Sequence, residues 1–300
     1  TQIDEPLAER VIAAEIPSLT QIEDETSKEV RAQYEIYPYP RWKSLNNASS
    51  INFFADHAPQ NPRILVAGCG TGREVINYAK AMPNAQFLAV DLSRVSLSYA
   101  IRKAKEYGVD NIEFKHADIL GLGVLNEKFD LITSSGVLHH MKEPSAGWKV
   151  LVDLLKLGGM MRIALYSELA RRDIVAGRKT IAQEGYPPTD EGIRAFRKEF
   201  SEIMNPKQVA GFVRSKDFYS MPACRDLLFH AQEHRFEIPQ IKKALKKFDL
   251  EFIKFDVQDE YLVRFRQKYK DEKNLSYWAK FEKENPDMFA AMYEFWSRKA

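Results

Sequence analysis

The 300-residue sequence predicts an α/β chain: a doubly wound, mostly parallel sheet, with an N-terminal helical and aromatic lid and a helical insertion before the last strands. Three observations predict it. Between residues 61 and 167, apolar runs suited to buried strands alternate with amphipathic stretches, the pattern of parallel strands joined by crossover helices. The first run, Ile64-Leu65-Val66-Ala67, feeds straight into Gly68-Cys69-Gly70-Thr71-Gly72 and then a helical pattern from Arg73. The second, Ala85 to Ser93, carries a carboxylate at its end, Asp91, roughly twenty residues beyond the glycines.

Residues 1–60 read as an N-terminal helical segment and lid, broken by Pro6, Pro17, Pro38, Pro40 and Pro59. Thr26 to Ile36 has early acids and apolar Val30, Tyr34 and Tyr37 at helical spacing, so it predicts a short helix that Pro38 stops. Tyr37-Pro38-Tyr39-Pro40-Arg41-Trp42 must then be extended, because each residue before a proline is driven out of the helical region. Its aromatics can close over a ligand or pack on the sheet edge. Residues 61–167 form the ligand-binding sheet, with further strand segments at Asn111–Leu120, Phe129–Met141 and, after Gly158-Gly159, Met160–Tyr166. Residues 168–248 are helical throughout, with breaks at Gly185-Tyr186-Pro187-Pro188 and Met221-Pro222, and read as an insertion over the site. Residues 249–300 complete the sheet. Leu250–Val257 alternates as a strand, whereas Met292–Trp296 is open between a strand and a helix.

The glycine loop sets the chemistry. Glycine is needed where a chain takes positive φ or lets a ligand approach its backbone, and a helix N-terminus behind the loop offers free N–H groups. The spacing is G-x-G-x-G, with Arg73 where a dinucleotide fingerprint needs its third glycine, which argues against a pyrophosphate guest. Asp91 is placed to accept hydrogen bonds from ribose hydroxyls.

Taken together, Gly68 to Gly72, Asp91, Ala117-Asp118-Ile119, Ser135-Gly136-Val137-Leu138-His139-His140 and Leu155-Lys156-Leu157-Gly158-Gly159 resemble the ordered motifs of class I S-adenosylmethionine (SAM) dependent methyltransferases. More loosely, Gln33–Trp42 and Cys224–His230 resemble methyltransferase segments that follow tetratricopeptide repeats in bacterial proteins. No such repeat lies in this sequence, so that resemblance implies a repeat domain upstream of Thr1. The main resemblance implies a Rossmann-like sheet, SAM as cofactor and direct in-line methyl transfer to an N or O acceptor. It implies that Gly68, Cys69, Gly70 and Gly72 lie along the methionine part of SAM, that Asp91, with Leu92 beside it, binds the ribose, and that Asp118 and the Ile119 amide meet the adenine edge. Ser134 and Ser135 would line the methionine side, and His139 falls where some of these enzymes place an active-site histidine. His140 and Tyr37 are further catalytic candidates, and Arg41 a candidate for the cofactor carboxylate. One position departs from the family pattern: Val66 stands where an acid is usual, two residues before the first glycine.

Other readings are weaker. An NAD(P)-dependent oxidoreductase is disfavoured by the missing third glycine, while a SAM-binding scaffold without catalysis stays open because of Val66. His230-Ala231-Gln232-Glu233-His234 matches the H-x-x-E-H pattern of zinc peptidases, but a third metal ligand is missing and the nucleotide-binding half is left unexplained, so no metal is expected. The 44 basic and 42 acidic residues give a net charge of +2, too balanced to predict nucleic-acid binding. Two cysteines make no disulfide framework and suit a reducing cytoplasm. No apolar run approaches the roughly twenty residues of a membrane span. The expected partner is an unidentified methyl acceptor, a small molecule or a protein. A histidine base is needed only if that acceptor arrives as a hydroxyl or a protonated amine.

Overall fold

Strand β1 (Arg63–Ala67) is apolar on both faces, and Ile64, Leu65, Val66 and Ala67 are all buried, as a central strand of a parallel sheet requires. In this computed structural model, which describes residues 3–45, 49–289 and 291–300, β1 is flanked by β2 (Gln86–Asp91) and β4 (Phe129–Ser135). β3 (Ile112–His116), β5 (Leu155–Tyr166), β6 (Leu250–Phe255) and β7 (Met292–Lys299) complete a seven-stranded sheet in the order β3-β2-β1-β4-β5-β7-β6. The tail is therefore a strand. β7 inserts antiparallel between β5 and β6, with Arg162 opposite Trp296. Strand order reverses between β1 and β4, and a crevice at the carboxyl ends of the strands there is where open α/β sheets bind ligands.

Helices cover both faces. On one side α3 (Ser49–Ala55), α4 (Arg73–Ala81) and α5 (Arg94–Glu106) pack on Ile64, Val66, Phe87, Leu131 and Trp296. On the other, α6 (Pro144–Leu154), α11 (Ile238–Lys247), α12 (Asp259–Lys268) and α13 (Leu275–Glu284) cover Leu65, Ala67, Leu88, Ile132 and Ile163. The period-two alternation of β1 thus feeds two separate cores. Among the described residues no helix is long and apolar enough to cross a membrane.

The N-terminal region supplies α1 (Asp4–Glu15) and α2 (Glu25–Ile36). The side chain of Asp24 caps α2 by accepting from the Ser27 N–H at 2.9 Å, and the chain turns extended at Pro38. The segment between the two helices runs along β3, where Leu19 donates to the His116 carbonyl and His116 to that of Pro17, closing off the sheet edge. After β5, helices α7 (Arg172–Glu184), α8 (Asp190–Ile203), α9 (Pro206–Arg214) and α10 (Met221–Leu228) form a cap with a core of its own, built on Ile193, Phe196, Phe212 and Cys224. The insertion ends earlier than the helical pattern suggests. α11 buries Ile238, Ile241 and Leu245 in the sheet core and leaves Lys242, Lys243, Lys246 and Lys247 in water, so it is the crossover into β6.

Candidate active site

A cavity of about 1360 Å³ lies at the carboxyl ends of β1, β2 and β4, between the N-terminal lid and the helical cap. Its floor is the glycine loop. The N–H groups of Gly68 and Cys69 both donate to the Val90 carbonyl, at 2.8 and 2.9 Å, which turns the loop sharply off β1. The glycines serve different ends. A Cβ at Gly72, whose φ is +82°, would lie 2.5 Å from the Cβ of Ala100, so this glycine lets α4 approach α5. A Cβ at Gly70 would meet only the Tyr39 carbonyl, at 3.6 Å, so the cradle above Gly70 is open. Gly68, Cys69 and Gly70 line the cavity, whereas Gly72 faces away from it. Burial pushes the Cys69 thiol well up, which keeps it protonated and removes it as a nucleophile.

Asp91 closes the loop from β2. Its carboxylate accepts from Gly70 N–H at 2.7 Å and from Ser93 N–H at 2.9 Å, one on each oxygen. Burial pushes its carboxyl up to about 6 against the opposing pull of those donors. Leu92, Asp118 and Ile119 line the adjoining wall. Asp118 caps the 3₁₀ turn Ile119–Val124 by accepting from Leu120 N–H at 2.9 Å, and its own N–H donates to the Thr20 hydroxyl at 2.8 Å.

β4 brings Ser135 into the cavity and turns Ser134 to the opposite face, where its buried hydroxyl has no partner among the described residues. Pleating permits only one of two neighbouring serines to face the ligand. The two histidines divide in the same way. His139 is wholly buried behind the wall, stacked on Tyr166 at 3.7 Å, with Nδ1 accepting from the Tyr166 N–H at 3.2 Å. His140 lines the cavity and stacks on His230 at 3.6 Å. Its Nδ1–H donates to the Gln232 carbonyl at 2.6 Å, which leaves the Nε2 lone pair free to accept. Burial holds both rings neutral, pulling His140 down to about 4 and His139 well below its ordinary value.

The lid is tied down at both ends. Trp42 Nε1–H donates to the Thr71 carbonyl at 3.0 Å, and the Thr71 hydroxyl donates to the Pro40 carbonyl. Tyr34 donates to Asp226 of α10 at 2.6 Å and lies 3.2 Å from His230 Nε2. Tyr34, Tyr39 and Asp226 face the cavity, and burial pushes the Asp226 carboxyl up to about 6. Two lid candidates lie elsewhere. The Tyr37 phenol donates to Asp190 of α8, outside the cavity, and Arg41 is half exposed, 3.7 Å from Glu9 and over the ring of Tyr99.

The H-x-x-E-H stretch is not a helix. His230 to His234 form the loop after α10, and Glu233 is buried in an ion pair with Arg171 at 2.7 Å. Among the described residues no group of three His, Cys, Asp or Glu side chains is disposed to hold a metal ion.

Several lining groups escape sequence reasoning, among them Tyr34, Asp226, Glu74 and Arg162. Glu74 stands two residues past the last glycine of the motif, but a first-turn acid reads as ordinary favourable placement at a helix N-terminus.

Comparison with known proteins agrees with this fold. A family model described as a methyltransferase domain matches residues 60–221, more than half of the chain. An uncharacterised protein of Synechococcus is 29% identical over 261 residues, which are 79% of this chain and 61% of that protein. The tRNA 5-carboxymethoxyuridine methyltransferase of Escherichia coli is 29% identical over 150 residues, 49% of this chain and 55% of its own. The chain thus spans less than two thirds of these relatives. PKMT2 of Rickettsia typhi, solved in complex with AdoHcy, shares the fold with a TM-score of 0.57 at 13% identity, over 91% of this chain and 52% of that one.

Proposed function

Because the chain belongs to the methyltransferase domain family, we propose that it transfers a methyl group from S-adenosylmethionine directly to an N or O atom of a small molecule or a protein side chain. The observation that carries this reading is the cradle. It is open above Gly70, closed from behind by Asp91, and bordered by Arg73, whose Nε is buried without a partner among the described residues. A ribose-bearing zwitterion matches an acid, an arginine and bare backbone together, whereas a pyrophosphate does not.

When bound, SAM supplies a methyl already activated on a sulfonium. This chain then has to align the acceptor and exclude water. In this reading Gly68, Cys69, Gly70 and Ser135 receive the methionine part, Asp91 and Leu92 the ribose, and Asp118 and Ile119 the adenine edge. Tyr34, Tyr39 and His140 border the acceptor's side. Of the two histidines only His140 lines the cavity, so it takes the role of proton acceptor if the methyl acceptor needs one, and His139 supports it from behind by edge contact at 4.3 Å. Tyr37 and Arg41 act on the lid's position rather than on ligand.

The E. coli relative is named for a tRNA acceptor, but we do not carry that over. The lysines of α11 lie where the chain enters β6, at the amino end of the strands and away from the cavity. Calorimetric titration with SAM, S-adenosylhomocysteine and NADH tests the reading. Micromolar binding of the first two and none of the third is expected. NADH binding alone overturns it, and SAM binding without turnover on any N or O acceptor favours a scaffold.

A further inference from the structure

Val66 removes an acid from the strand, yet the structure returns one from the helix. In the register of the sheet Val66 lies beside Thr133. Glu74, in the first turn of α4, reaches that place on the same face of the sheet. Its Oε1 accepts from the Thr133 hydroxyl at 3.0 Å, and its Oε2 accepts from the Ser135 hydroxyl at 2.9 Å and from Arg162 Nη1 at 3.1 Å. Arg162 is buried and also holds Asp256, at 3.1 Å, and Glu294. Lys254 adds a second cation 3.2 Å from Asp256. Three carboxylates, Glu74, Asp256 and Glu294, therefore share two cations, Arg162 and Lys254, in one corner of the cavity, with Arg73 lining it next to Glu74.

Those cations are not shared evenly. Asp256 is engaged by Arg162, Lys254 and the Trp296 indole, and Glu294 by Arg162. Glu74 shares Arg162 with both, and its other two partners are neutral hydroxyls, with Oε1 holding one hydrogen bond from Thr133. It also stands beside Arg73, whose unpartnered Nε offers a donor to a carboxylate. An anion and a cation on consecutive residues, at the mouth of a glycine loop, match an α-amino acid head group in its zwitterionic form.

Resting on the methyltransferase reading, we infer that Glu74 receives the α-ammonium of the cofactor's methionine moiety, replacing from helix α4 the acid that Val66 lacks on strand β1. The competing account makes Glu74 a purely structural clamp between α4 and the sheet. A binding cycle separates them. S-adenosylhomocysteine and its analogue without the α-amino group are titrated calorimetrically into wild-type protein and Glu74→Gln, which keeps the shape and loses the charge.

The variant should bind S-adenosylhomocysteine about tenfold more weakly or worse, as loss of a charged hydrogen bond does, and the deaminated analogue as wild type does. Equal weakening of both ligands, or of neither, overturns the assignment. The unchanged affinity for the analogue also certifies that the variant is folded. Glu74→Asp, which retains the charge, should recover part of the loss for S-adenosylhomocysteine alone. Wild-type protein that takes up neither ligand overturns the methyltransferase reading itself, and the assignment with it.

Discussion

Replacing Asp91 by asparagine is the sharpest probe of the cofactor site. The carboxylate holds Gly70 N–H on one oxygen and Ser93 N–H on the other, at 2.7 and 2.9 Å, which leaves each oxygen one lone pair for a ribose hydroxyl. Asparagine keeps a single acceptor and turns the other position into a donor that faces a backbone N–H. Loss of a charged hydrogen bond costs about 1.5–3 kcal/mol, so Asp91→Asn should weaken S-adenosylhomocysteine binding by about 2 kcal/mol, roughly thirtyfold. The proton adds a second signature. With its carboxyl raised to about 6 from an ordinary 3.8, Asp91 favours the folded state most below pH ~4, and that contribution is lost as pH rises through 6. Ribose hydroxyls stabilise the ionised form, so affinity should climb as pH rises through 6 and level off above it. Binding at pH ~6 should release about half a proton. Calorimetry at pH 5 to 8, in buffers of different ionisation enthalpy, reads both effects. Affinity that is flat with pH would refute the role given to Asp91, and so would a slope that survives in the asparagine variant, because Asp226, also raised to about 6, would then own the titration.

Three further substitutions separate the parts of the site. Gly72→Ala must hold an L-residue at a φ of +82° and press a methyl 2.5 Å from Ala100, so the free protein should lose about 2–4 kcal/mol, seen as a melting temperature lower by several degrees. Tyr34→Phe deletes the donor to Asp226. It should cost about 1–2 kcal/mol in denaturant titration and leave S-adenosylhomocysteine affinity unchanged, since that hydrogen bond joins lid to cap. Once an acceptor is known, His140→Ala should reduce turnover with cofactor affinity intact; equal loss in both would place His140 in the cofactor's berth instead.

The sheet was legible because burial on both faces demands an unbroken apolar run, and Ile64 to Ala67 followed by alternate glycines has few other readings. The place of Asp91, at the end of β2 and on the cavity wall, was legible from its spacing beyond the glycines. Selection within pairs was harder. The sequence proposes Ser134 with Ser135 and His139 with His140, and in each pair local geometry turns only one side chain to the cavity. Alternation along β4 could have separated the serines. For the histidines, which sit in a 3₁₀ turn, no such signal existed. The acceptor side was least legible, since Tyr34, Asp226 and His230 meet across more than 190 residues of chain, and only docking of the cap on the lid joins them. Tyr37 and Arg41 went astray likewise, because their partners Asp190 and Glu9 belong to helices whose docking no local pattern records. The tail stayed open for another reason: Met292 to Trp296 is too short an apolar run for its period to decide.

The lid has one consequence for traffic. Residues 34–42 are fastened to the cofactor loop through Trp42 and Thr71, and to the cap through Tyr34 with Asp226 and Tyr37 with Asp190. Lifting the segment for one ligand strains its moorings on the other side, so the berths for cofactor and acceptor form a single kinetic compartment. Backbone amides of the lid and of α10 should accordingly gain hydrogen-exchange protection together when S-adenosylhomocysteine binds, although that ligand reaches only one of them.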